Sequence, residues 1–252
     1  MQTMPGHRGG RSASSSCRSG RGATLLLIVF ALGWTADATG QAGRTAATRD
    51  DTLVAEGERW WTHSPDPGNP VTCATCHHDP TETRGWAAGF PKVRPLPPPH
   101  TRVMTLLQAN AEAVTLHYRA ADPRPAAIAI TAYLTALGAG LPISPGVSPG
   151  QPVFPERIQE LARSVQRGER LFARRCSGCH RGPTVAASVS TFPRLRNARS
   201  ESLESFLEGH RSPGPPLAWD GQAVADLAAY LTSHLAGQPV GHPTDQHAKE
   251  KP

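Results

Sequence analysis

Cysteine is scarce in this chain of 252 residues, and none of it is spare. Of the five cysteines, Cys17 lies near the N-terminus and the other four form the pairs Cys73/Cys76 and Cys176/Cys179. Nothing is left for a structural disulfide or a free cysteine nucleophile. Methionine is scarcer still. Of three, Met1 and Met4 sit at the start of the chain, so Met104 is the one thioether in its body. Aromatic residues make up 6% of the chain, against 24 glycines and 25 prolines. Small domains with so few bulky side chains are short of a core unless something else fills it. Alternating runs that would mark strands are missing too. Strong net charge is also lacking. The formal +6 falls to about +3 (22 less 19) without the four arginines and one aspartate of residues 1–38, which is weak ground for nucleic-acid binding. No acid–base constellation stands out; Glu204 and Glu208, at i and i+4, read as a solvated helix face.

What is present begins with an export signal. Arg8, Arg11, Arg18 and Arg21 precede the apolar run ATLLLIVFALGW and the small-x-small sequence Ala36-Asp37-Ala38. Residues 1–38 therefore read as a signal peptide directing the chain to the periplasm. The run is shorter than the roughly 20 residues of a membrane span, so no stable span is expected after cleavage, with an uncleaved anchor as the alternative. No cysteine follows it, which argues against a lipoprotein. Residues 39–51 form a polar leading segment and 237–252 a polar tail, both expected to be disordered. The run LPISPGVSPGQPVFP, residues 141–155, is too rich in proline and glycine for helix and reads as a linker.

Two blocks remain, 52–140 and 156–236, and they begin and end alike. LVAEGERWW and SVQRGERLF open them; AAIAITAYLTALG and AVADLAAYLTSHL close them around Tyr133 and Tyr230. The apolar spacing is helical in each. Gly57 and Gly168 cost about 1 kcal/mol of helix propensity relative to alanine, so they call for a reason, and a close crossing of opening and closing helices supplies one. The expected fold is all-α, two small helical domains in tandem.

Each block carries Cys-x-x-Cys-His: Cys73, Cys76 and His77, then Cys176, Cys179 and His180. Two thiols one helical turn apart suit thioether bonds to the vinyl groups of a haem, and the adjoining histidine suits its iron. The competing readings are a zinc half-site or a redox pair, or one zinc held by all four cysteines. The shared histidine and the spacing of about a hundred residues within a repeat favour two covalently attached c-type haems. A haem would also fill the deficit of core residues.

With those residues quoted, the second block resembles a class I cytochrome c domain: Gly168 to Phe172 before the Cys176–His180 motif, and Leu227 to Leu231 as its last helix. The first block, with GERWWTHSPDPGNPVTCATCHHDP and PKVRPLPP, more loosely resembles the small oxygen-binding cytochromes of the Sphaeroides haem protein type. The resemblance implies cytochrome c-like helical domains. It also implies, for the class I type, a distal methionine before the last helix. Here the second block has His210 and, in place of the methionine, Pro213. His210 as sixth ligand or an open position are the two candidates, and His234 a weaker third. In the first block the contenders are His117, Met104 and His100. His117 is preferred because it precedes Tyr133 by 16 residues, much as His210 precedes Tyr230 by 20. The asparagine ligand of the Sphaeroides type does not carry over, since Ala121 stands near its place. His63 and His78 read as surface residues.

Imidazole in place of thioether lowers a haem's potential. The leading expectation is thus an exported dihaem cytochrome relaying electrons between redox proteins whose identity the chain does not specify. The alternative is a haem enzyme, such as a peroxidase, or a gas-binding protein using an open site. Thiosulfate-oxidising dihaem cytochromes use a distal cysteine, which this chain does not have to spare.

Overall fold

The computed structural model describes residues 51–95, 101–147, 152–180, 185, 189 and 191–236. The segments read as signal peptide and tail, most of the leading segment, and His100 lie outside them. Helix α1 (51–62) buries Leu53, Gly57 and Trp61, four residues apart along one edge. Three single turns follow: α2 (Cys73–Cys76), α3 (Pro80–Thr83) and α4 (Trp86–Gly89). Strands β1 (Lys92–Pro95) and β2 (Thr101–Met104) pair antiparallel, Lys92 opposite Met104. Thr105 then caps α5 (Leu106–Tyr118). Its hydroxyl accepts from the Gln108 amide while the Gln108 side chain accepts from the Thr105 amide, a reciprocal cap that fixes where the helix starts. The closing helix α6 (Arg124–Leu137) carries Pro125 in its first turn, where a missing N–H costs nothing.

The second block repeats this order with α7 (Pro155–Arg175), β3 (Arg194–Arg196), β4 (Arg199–Glu201), α8 (Leu203–Gly209) and α9 (Gln222–Ala236). The two glycines show how close the repetition is. A methyl group at Gly57 would lie 2.0 Å from the Ala129 carbonyl oxygen of α6, and one at Gly168 would lie 2.0 Å from that of Asp226 in α9. Each opening helix thus crosses its closing helix in backbone contact. The hairpins correspond as well: Lys92 lies 4.7 Å over the Phe90 ring, and Arg194 lies 4.2 Å over Phe192. Arg194 pairs with Glu201 across its hairpin as Lys92 pairs with Met104.

The chain is mostly helical, but the all-α expectation needs correcting by these two hairpins. Strands of three or four residues are too short to show an alternating pattern, and each is set by a Phe-Pro pair and a capped helix rather than by periodicity. Residues 141–147, read as the start of a linker, are held down. Ser144 N–H donates to Ala88 O at 2.7 Å and Gly146 N–H to Gly89 O at 2.9 Å. Gly146, at φ +81, packs so closely on α7 that a side chain there would meet Leu161 at 2.7 Å.

The blocks also share buried surface. Val93 and Val103 of the first hairpin pack in one cluster with Leu161, Ala225 and Ala229. Gln108 donates to the carbonyls of Trp219 and Gly221, and Arg124 bridges to Glu208 at 3.0 Å. Glu204 is accordingly not on a solvated face. It is 6% exposed at the start of α8, bonded to the side chains of Thr105 and Ser202, because this helix lays its first turn against the first block.

Candidate functional site

Both Cys-x-x-Cys-His motifs take the same local form. Helix α7 ends with the Cys176 amide bonded to Phe172 O at 2.8 Å, and one further turn brings the His180 amide to Cys176 O at 2.9 Å. In the first block α2 brings the His77 amide to Cys73 O at 2.9 Å. The first cysteine of each motif is half-buried and the second exposed, so each pair runs from core to surface. Burial pushes the Cys73 and Cys176 thiols up; Arg175 pulls the latter part of the way back.

In the second block the motif opens on a cavity of about 310 Å³. Phe172 and Cys176 of the opening helix, Phe206 of α8, and Leu227 and Leu231 of α9 wall it. His180 and His210, the residue just past α8, both line it. Their ring centres are 5.7 Å apart with planes inclined by 38°. Two imidazoles sharing a metal through bonds of about 2 Å stand about 6 Å apart between ring centres. Apolar walls, the Cys176 thiol and two imidazoles at that separation fit a covalently bound haem.

The first block surrounds its motif with aromatic rings. His77 lies 4.8 Å from Trp86 and 6.0 Å from Trp61, and Trp61 lies 5.9 Å from Tyr133. Tyr118 donates to Trp60 O at 2.6 Å, and its hydroxyl also meets the Cys73 sulfur at 3.5 Å. The distal candidates are not gathered here as they are in the second block. His117 is exposed near the end of α5, lines a polar groove with Asp66, Asn69 and Arg119, and makes no ring contact with His77. Its carbonyl accepts from the Asn69 side chain at 2.6 Å. Met104 is buried at the end of β2. The His234 ring lies 5.0 Å from that of Tyr230, tilted by 35°, and His63 and His78 are exposed.

One residue beside the second motif matches no signature. Arg175 donates from Nη2 to Ser212 Oγ at 3.0 Å and to Pro215 O at 2.5 Å, tying the end of α7 to the segment after His210. Its buried Nε has no hydrogen-bond acceptor. Gly214, at φ +92, gives the segment its left-handed turn beside the guanidinium. The glycine within Ser212-Pro213-Gly214-Pro215-Pro216 was the available signal.

Among the described residues no three histidines, cysteines or acids come together to hold a metal ion, so the four cysteines do not form a common thiolate site. No protein-family model matches the chain. Over 189 residues it is 26% identical to a thiosulfate dehydrogenase of Psychrobacter arcticus, an alignment covering 67% of this chain and 57% of that protein. The chain therefore spans little more than half the length of this relative.

Proposed function

We propose that the protein is an exported dihaem c-type cytochrome that passes electrons between redox proteins. The observation that carries this is that His180 and His210 line one largely apolar cavity with the Cys176 thiol, their ring centres 5.7 Å apart. The relative's redox activity supports the same chemical class. Its substrate is not transferred, because all four cysteines in the body of the chain belong to the two motifs. The chemistry a haem supplies when bound is one-electron exchange at iron. This chain's part is to hold and insulate it. Cys176 and Cys179 anchor the second group, and Cys73 and Cys76 the first. His180 and His210 would offer it two imidazole nitrogens, and imidazole in place of methionine would lower its potential. Phe172, Leu227 and Leu231 keep water from the second site.

Electrons would enter and leave at the exposed edges marked by Cys76 and Cys179. Arg170, Arg174 and Arg211 are exposed, and such charges would suit a redox partner with an acidic face. Among the described residues no helix is long and apolar enough to cross a membrane, in keeping with a periplasmic location. The experiment is an absorption spectrum of the oxidised and reduced holoprotein beside His210→Ala. The expected result is a low-spin second haem in the wild type that turns high-spin and binds carbon monoxide in the variant. A variant spectrum identical to the wild type would remove His210 from the iron.

A further inference from the structure

A cavity of about 300 Å³ lies where the two blocks meet, and the repeat supplies both of its sides. Phe90 lines it from the first block and Phe192 from the second; so do Leu106, the first residue of α5, and Leu203, the first of α8. The next residue of each helix breaks the likeness. It is Leu107 in α5 and Glu204 in α8, and Glu204 is the one ionisable side chain in the wall. Its carboxyl is 6% exposed and accepts from the hydroxyls of both helix caps, Thr105 of the first block and Ser202 of the second. Each side of the cavity also belongs to the surroundings of one motif. Phe192 and Leu203 wall the second cavity together with Cys176 and His180. Leu106 and Phe90 pack in the cluster that takes in Cys73 and Trp61. One layer of side chains thus stands between this carboxyl and each of the two sites.

We infer that Glu204 is a proton-binding site shared by the two haems, taking up a proton from solvent when they are reduced, so that the chain moves protons together with electrons. This deepens the haem reading and rests on it. One electron passes from the redox partner to a ferric iron, one proton passes from solvent to a carboxylate oxygen of Glu204, and no bond to iron forms or breaks. The cause is Coulombic. A buried carboxylate is costly, and an electron added across an apolar wall raises that cost. Burial already pushes the Glu204 carboxyl up, against the pull of the two cap hydroxyls and its own amide. Thr135 and Gly140 on the cavity wall are exposed, which gives the proton an entry. The charges on neighbouring elements are engaged elsewhere: Arg124 with Glu208, Arg94 and Arg102 with Glu112, Arg194 and Arg196 with Glu201, and Asp226 with Arg167. Arg199, His117 and His234 are exposed. Lys92 lies over the Phe90 ring, and burial brings it down to about 8, so its titration has to be kept apart from that of Glu204.

The test is a potentiometric titration of the holoprotein between pH 5 and 7, below the range of Lys92, after its haem content has been counted. The wild-type midpoints are expected to fall as pH rises, because binding of the proton and of the electron favour one another reciprocally. Glu204→Gln keeps the shape and cannot ionise, so the slope should drop by about twofold or more, the remainder belonging to the haems' own carboxylates. Glu204→Leu, which copies Leu107 of the first block, should give the same reduced slope, and Lys92→Gln should leave the wild-type slope unchanged in this range. The infrared difference between the oxidised and reduced protein should contain a carboxyl band that Glu204→Gln loses. Wild-type slopes in both Glu204 variants, or a difference spectrum from which Glu204→Gln removes no carboxyl band, overturn the inference. A chain carrying no covalent haem overturns the underlying reading instead.

Discussion

Arg175 joins the Cys-x-x-Cys-His motif of the second block to the segment that follows His210. Its two bonds, to Ser212 and Pro215, hold the residues on which the proposed sixth ligand hangs. Hydrogen bonds from a charged donor are worth about 1.5–3 kcal/mol each, so Arg175→Ala should both destabilise the fold and loosen His210. The expected outcome is a lower denaturation midpoint together with measurable carbon monoxide uptake at the second haem, and partial recovery in Arg175→Lys. Were the midpoint to fall with the second haem still closed to carbon monoxide, Arg175 would matter to the fold and not to ligation. At this scale the sequence was only partly legible. The six residues of the two Cys-x-x-Cys-His motifs stand out in sequence because they are adjacent letters. The distal position could not, because counting back from Tyr133 and Tyr230 assumes helices of equal length. Helix α5 has 13 residues and α8 has 7, so the register is kept at the caps and lost at the tyrosines.

Helix crossings are where the elements are most tightly specified. Gly57 and Gly168 stand out in sequence as a cost to helix propensity, and the structure shows what each allows: a carbonyl at van der Waals contact with the partner helix. Gly168→Ala should therefore cost about 3 kcal/mol or more, since backbone rather than a side chain must move. Urea denaturation of the holoprotein checks it; a loss under 1 kcal/mol would mean that the crossing yields easily. Ion pairing strengthens the same crossing in the second block. Asp226 of α9 accepts from Ser164 at 2.6 Å and from Arg167 at 2.9 Å. The hairpins were not legible, being fixed by neighbours distant in sequence: Val93 and Val103 earn their place by packing on Leu161.

For the whole molecule, the described blocks meet across buried surface, and Glu204 sits in that contact. Burial pushes its carboxyl up despite the hydrogen bonds from Thr105 and Ser202. A raised folded-state value means that the folded protein holds the proton more firmly than the unfolded chain. The stability is then fully present below the unfolded value of about 4.3 and is lost as pH rises through the folded one. Glu204→Gln, which stays neutral, should remove that loss, so the variant gains on the wild type as pH is raised from 5 to 8 in thermal melts. Equal pH profiles for the two proteins would contradict the assignment. A proline-rich segment gave no hint of this contact, because sequence composition reports what a segment cannot form, helix here, and not what it rests against.

Whether each Cys-x-x-Cys-His motif holds a haem covalently can be read from intact mass spectrometry of the denatured protein. The expected mass is that of the polypeptide plus two haems, falling by one haem in a Cys176→Ser/Cys179→Ser double variant and by the other in Cys73→Ser/Cys76→Ser. A bare polypeptide mass, or a metal released by denaturation, would contradict it.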